Sequence, residues 1–435
     1  MAMVKPFQGV RYDTAKAGGD LGQLVCPPYD IIASARQKAF HEKHPKNFIQ
    51  LDFGLTKDDD VPGQDDTYTR AAATWQEWLY KGILRTDDTP RYYLYRQTFA
   101  ATVGGVDSRY VRTGIVASVH AEDFGGAIVP HEHTLAEPKE DRYRLTMATG
   151  AELGQVFFLY DDPEKIVETH SETVLAGPAL ARFLDDQSVE HSLYELTDPA
   201  ALAAIESMFA SQSLLIADGH HRYETSLRVW SELDPDGMAH RATLATLVNR
   251  CDPGLVVQPI HRIYRGLDTL TFAQLHEKLK VRFETEIFPW AGAEAAEGWL
   301  AMEAPTHHAF LVRWKNSPEC LLVRAPRGTL GTFAGHTPEW SRLDLSILQT
   351  LVQEEILGID PATYPAGTHV IPVVEGHLLA DLLDHTPENQ FFVMVNPTSV
   401  EEIEAVGRAG ERMPQKSTFF HPKIWSGLVA LNLRP

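Results

Sequence analysis

The run Asp218-Gly-His-His-Arg222 sets a carboxylate, a glycine, two imidazoles and a guanidinium side by side. It follows the apolar stretch Ser213–Ala217 and precedes Tyr223, Leu227, Trp230 and Leu233, which recur at helical spacing until Asp234-Pro-Asp-Gly237 stops them. A buried strand turning into a helix at Gly219 is therefore expected, with the polar cluster on the first turn. The unpaired N–H groups and partial positive charge of a helix start attract anions, and Gly219 lets a phosphate approach the backbone. Arg222 adds a two-pronged donor. His220 or His221, kept neutral by the same dipole, can serve as donor, base or nucleophile. Asp218 can cap the helix or hold a magnesium ion beside bound phosphate. The alternative without a ligand is a capped helix with solvated histidines and a surface arginine.

Other clusters are less specific on residue types alone. His131-Glu-His133 opens a turn-rich segment of mixed charge that runs through Lys139, Asp141 and Arg142. His131 and His133 can chelate a metal if the segment is extended, with Glu132 or Asp141 completing the shell, or the segment is an exposed salt-bridged loop. Lys416, Ser417 and Thr418 can neutralise phosphate and hydrogen-bond it, although such a triplet is common in loops. His261-Arg262 follows a strand-like run. Cys26, Cys251 and Cys320 have no metal-ligand spacing and read as small buried hydrophobes.

The elements that must position these residues can be read coarsely. Tandem Pro27-Pro28 enforces an extended segment before a helix near 33–44, and an acidic loop at 56–66 leads into a helix Thr67–Lys81 with Trp75 and Trp78 inside. Strands at 91–99 and 110–119 pair as a hairpin, and a further strand follows at Gln155–Tyr160. Beyond 268 helices are expected at 272–280, 292–302, 343–357, 376–384 and 399–408, between strands at 281–288, 308–314, 320–325, 369–374 and 391–395. The chain of 435 residues, 44% hydrophobic and 23% charged, is long enough for two or three domains. A net charge of −20 argues against nucleic acid or an anionic membrane as partner. Protonating all 19 histidines would offset all but one of those charges, so solubility is expected to fall toward pH 5. No signal-peptide pattern or long apolar span occurs, which reads as cytoplasmic. There is no Gly-Lys pair, Gly-x-Gly, HExxH or GxSxG, and the two Asp-Phe-Gly triplets lack the other protein-kinase motifs.

Five motifs in order, Cys26-Pro-Pro-Tyr-Asp30, His131-Glu-x-Thr with Lys139-x-Asp-Arg142, Ala217–Thr225, Gln258–Arg262 and Met413–Phe420, resemble the domain-of-unknown-function family 1015 (DUF1015), over about residues 4–432. The resemblance implies that these motifs converge on one site. The run from Asp218 to Glu224 is also similar to the strand–turn–helix signature of the ParB, sulfiredoxin and free serine kinase superfamily, whose members bind nucleotide phosphates at that helix start. His220 stands where sulfiredoxins carry a reactive cysteine, which puts thiol chemistry in doubt; the Asp-Gly-His form of the free serine kinases fits better.

The expectation is a mixed α/β (α+β) chain. A ParB/sulfiredoxin-like nucleotide-binding core with large insertions occupies 1–267, and a C-terminal α+β module occupies 268–435, with its segment 412–423 returning to the site. The expected function is phosphoryl transfer between ATP or ADP and a small hydroxylated metabolite such as serine, with Mg²⁺ as bridge. Asp218, His220, His221 and Glu132 are the expected catalytic residues. Gly219, Arg222, Lys139, Arg142, Lys416, Ser417 and Thr418 are expected to bind phosphate or nucleotide, and Asp218, His131 and Asp141 to hold metal. The alternatives are a phosphatase acting through His220, possibly on phosphoserine, and a non-catalytic nucleotide-binding regulator.

Overall fold

Apolar runs between residues 92 and 249 become strands of a single mixed sheet. In the computed structural model, which describes residues 2–237, 240–364 and 366–433, the chain divides into two units. The first comprises Met1–Phe99, Tyr110–Leu255 and Pro422–Pro435; the second comprises Ala100–Arg109 and Val256–His421. This division falls at 255/256, earlier than the 267/268 boundary read from the sequence.

Among the described residues of the first unit, the sheet runs Ile128–Val129, Leu214–Asp218, Val156–Tyr160, Ala242–Asn249, Val106–His120, Tyr92–Val103, Glu190–Leu196 and Ala181–Leu184, with Val4–Lys5 also on Val106–His120. Two pairings are parallel: Leu214–Asp218 with Ile128–Val129, and Ala242–Asn249 with Val156–Tyr160. Val156–Tyr160 is buried at all five positions, as a central strand covered on both faces must be. Val167, Ile205, Phe209, Tyr223 and Trp230 from three helices, Ile166–Ala176, Pro199–Phe209 and His220–Leu233, join the strand residues in one core.

The chain end is stitched into this unit. Ser426 bridges Cys26, Ala430 bridges Val10, and Leu431–Asn432 pairs with Ala151–Glu152. Gly427 permits the path: its φ is +94°, and a Cβ there would come within 2.7 Å of the Phe48 ring.

The second unit is built on an antiparallel sheet in the order Glu284–Pro289, Glu319–Pro326, His307–Trp314, Asn389–Val395, His261–Arg265, Val370–Val373. Strand residues alternate between two apolar cores, one on each face.

Several expectations are corrected. Residues 131–143 are not a loop throughout, since Ala136–Thr149 is helical. That helix buries Arg142, Leu145 and Thr149 and has no apolar stripe, so periodicity could not reveal it. The apolar stretch 343–357 is not one α-helix: Asp344–Ile347 is α-helical and Leu348–Ile356 is a π-helix. Cys26 and Cys320 are buried as expected, whereas Cys251 is exposed. Among the described residues no helix is long and apolar enough to cross a membrane.

Candidate functional site

Leu214 to Ala217 are buried because their strand lies inside the sheet, and Asp218, its last residue, emerges with its side chain 20% exposed. Gly219 then takes φ +90° and occupies the N-cap position of the helix His220–Leu233. The helix is anchored from below. Tyr223 Oη donates to the Glu122 carbonyl at 2.7 Å and accepts from the Glu122 amide at 2.9 Å, and Trp230 Nε1 donates to the Ala242 carbonyl at 2.8 Å.

Arg222 folds back over this turn. A Cβ on Gly219 would lie 3.1 Å from its guanidinium carbon, so the guanidinium covers the face by which a phosphate was expected to reach the backbone. It donates to the Gln155 carbonyl, and its Nη2 lies 3.2 Å from Asp218 Oδ2 and 3.4 Å from Asp30 Oδ2. Lys423 Nζ stands 3.5 Å from Asp218 Oδ1. Arg142 sits 4.0 Å over the Tyr29 ring and pairs with Asp52 at 2.9 Å and Asp141 at 2.6 Å.

Burial opposes both guanidinium charges, but the carboxylates more than offset it, Asp30 and Asp218 at Arg222, Asp52 and Asp141 at Arg142. Both arginines are held above their ordinary pKa. Burial, then Asp30, raises the Tyr29 phenol. Arg222, Lys423 and Arg142 are each met by at least one carboxylate, so little of their positive charge is left over for an anion. The cavity beside the cluster, lined in part by Asp52, Arg142, Glu152 and Arg222, has about 30 Å³, room for water but not for a nucleotide.

Both imidazoles of the motif face the segment 131–135. The His131 amide donates to His220 Nε2 at 3.1 Å, and the Leu135 amide donates to His221 Nε2 at 2.8 Å. A ring nitrogen that accepts an N–H carries no proton, so each neutral ring holds its own on Nδ1. His220 Nδ1 lies 3.7 Å from Glu132 Oε2, and its ring meets that of His131 edge-on at 4.5 Å. The His220 side chain is 2% exposed and that of Glu132 is 31% exposed, so of this pair Glu132 is the one open to a substrate proton. Glu224 ties down the rest of the segment, accepting from Thr134 Oγ1 and Lys139 Nζ, each at 2.8 Å.

The family model described as a protein of unknown function (DUF1015) matches residues 4–346, well over half of the sequence. The chain belongs to the DUF1015 family. The match ends before Met413–Phe420, so this last motif lies beyond it. No curated protein matches the sequence. Three solved structures illustrate the similarity. A conserved hypothetical protein from Pyrococcus furiosus is 14% identical, with TM-score 0.32 over 68% of this chain and 89% of its own. Free serine kinase in complex with AMP is 13% identical, with TM-score 0.33 over 71% of this chain and 89% of its own. C-terminally truncated SbnI from Staphylococcus aureus is 12% identical, with TM-score 0.33 over 73% of this chain and 86% of its own. At such TM-scores these likenesses carry no argument.

In this DUF1015 chain, Asp218, Gly219, His220, His221, Arg222, His131 and Glu132 come together at one strand–helix corner, and Arg142 and Asp141 belong to the adjoining ion cluster. Lys139 is spent on Glu224. Lys416, Ser417 and Thr418 belong to the second unit, where Ser417 is buried and donates to the Pro414 carbonyl. Asp218, His131 and Asp141 do not assemble as metal ligands, since no three His, Cys, Asp or Glu side chains are grouped to hold an ion among the described residues. Asp141 is taken by Arg142 and by Tyr68 Oη at 2.9 Å; His131 is buried while His133 is exposed, so the alternate imidazoles do not converge. No role at the site was expected for Asp30, Asp52, Gln155 or Lys423. Asp30 had a signal, closing the Cys26–Asp30 motif two residues after the rigid Pro27-Pro28 pair, and Lys423 closes the segment that was expected to return to the site.

Proposed function

We propose that this chain is a phosphotransferase, moving a phosphoryl group between magnesium-bound ATP or ADP and the hydroxyl of a small metabolite. Serine is the first candidate, on the likeness of the Asp218-Gly-His run to the free serine kinases. The observation that carries the reading is that carboxylates already meet both Arg222 and Lys423. This pairing offsets the pull on a bare phosphate but suits a nucleotide that arrives with a divalent cation. Asp218, with Asp30 across the same Nη2, offers the one or two carboxylates that Mg²⁺ takes when phosphates and water complete its shell. Bound there, the ion would offset phosphate charge.

Arg222 and Lys423 supply further charge for the phosphoryl oxygens. Glu132 accepts the hydroxyl proton as the new O–P bond forms, and the bond to the donor phosphate breaks with its electron pair leaving on the nucleotide. His220 positions Glu132, and His221 holds the segment through Leu135. The phosphatase alternative has less support, because the ring of His220 is buried and both its nitrogens face protein groups.

Calorimetry with ADP and ATP tests this. Binding is expected with Mg²⁺, weakening at least about tenfold in EDTA or in Asp218→Asn; equal affinity with and without the ion overturns the reading. Glu132→Gln should keep nucleotide affinity and lose about 10²–10⁴-fold in turnover, followed by phosphorus NMR with serine and related alcohols.

A further inference from the structure

The second unit contains a pocket that this transfer does not use. Arg262, Gln349, Gln353, Tyr364 and Lys416 line it together with an apolar wall, and among the described residues no Asp or Glu does. Arg262 is 6% exposed, and among the described residues it has no carboxylate partner. Its Nη1 donates to the carbonyls of Ile260 at 2.7 Å and His261 at 3.3 Å, and its Nη2 to those of Gln415 at 3.3 Å and Lys416 at 2.9 Å. Burial pushes its pKa down to about 10, with the Tyr264 and Tyr364 phenols opposing only in part. A guanidinium buried without a counter-charge is costly to keep, and an anion would relieve it.

Three further features belong to residues that line the same space. Lys416 is exposed, has no carboxylate partner among the described residues, and holds φ +55°, a conformation rare for a residue with a side chain. The Tyr364 hydroxyl is buried with no hydrogen-bond partner among the described residues. Gln349 and Gln353 come from the π-helix Leu348–Ile356, a form that is rare and concentrated at functional sites. Glu354, whose field reaches Tyr364, does not line the pocket and accepts the Gln349 amide at 3.0 Å.

We infer that this pocket binds the oxyanion group, phosphate or carboxylate, of a small molecule, with Arg262 and Lys416 as counter-charges and the Tyr364 hydroxyl as donor. The cavity of about 50 Å³ is of the size of such a group. The apolar wall then receives carbon atoms next to it.

The test is lysine acylation of the full chain read by mass spectrometry, in inorganic phosphate, in citrate and in chloride at matched ionic strength. At least one oxyanion is expected to slow labelling of Lys416 threefold or more while the exposed Lys81 is unaffected. The anion that protects at the lower concentration assigns the class as phosphate or carboxylate. Tyr364→Phe removes only the unpartnered hydroxyl and should raise the half-protecting concentration at least threefold. Equal labelling of Lys416 in all three salts, or protection that Tyr364→Phe leaves unchanged, overturns the assignment. The readout is local to Lys416, so it stands or falls independently of nucleotide binding in the first unit.

Discussion

Glu152 accepts hydrogen bonds from Ser226, Thr243 and the Leu244 amide and lines the same cavity as Arg222, yet burial raises its pKa from 4.5 to about 7. Between those values the native chain holds a proton that the unfolded chain has released, so stability falls as pH rises through that window. Glu152→Gln should flatten the slope and raise the denaturation midpoint at pH 8 relative to wild type. His261 has the opposite sign. Burial, then Arg262, lowers its pKa to about 3, so its contribution is lost as pH falls from about 6.5 toward 3. Urea midpoints across pH 3–8 read both. Gly219→Ala places a side chain at φ +90° and against the Arg222 guanidinium. The expected cost is about 1–3 kcal/mol by urea denaturation, accompanied by weaker nucleotide binding.

At the scale of elements, the helix His220–Leu233 was legible because Tyr223, Trp230 and their neighbours recur on one face, as was Thr67–Tyr80 through Trp75 and Trp78. Ala136–Thr149 was not, because the residue it contributes to the ion cluster is Arg142, whose place inside depends on Asp52 and Tyr29. The π-helix escaped for another reason: its apolar spacing is compatible with an α-helix, and only the backbone hydrogen bonds differ. The segment before Ala136–Thr149 is held by side chains of the neighbouring helix. His221→Ala should therefore speed hydrogen exchange at the Leu135 amide about tenfold while leaving the His131 amide, bonded to His220, protected.

Across the whole molecule, a count of 19 histidines against a charge of −20 overstates how far acid neutralises the chain. Burial lowers the pKa of His191, takes His240 to about 4 and His261 to about 3. Between pH 7 and 5 His240 and His261 stay neutral in the folded protein and titrate in the unfolded one. Potentiometric titration should accordingly show smaller histidine proton uptake for the native chain than for the chain in guanidinium chloride, and the folded protein should remain more negative at pH 5 than the count implies.

The sequence by itself determined the strand, the turn at Gly219 and the helix that follows, because each depends on residue types within some twenty positions, and the family resemblance, because it rests on residue types within several short motifs. The tertiary structure decided what those residues meet. Arg222 finds Asp30 across 192 positions and Arg142 finds Asp52 across 90, while Lys423 reaches Asp218 because the chain end is stitched back onto the first unit by the Cys26–Ser426 and Val10–Ala430 bridges. Sheet order and chain return set those meetings, and local pattern does not encode either. Hence the turn could be read as an anion cradle, while the carboxylates that already occupy its cations became visible only in the folded chain.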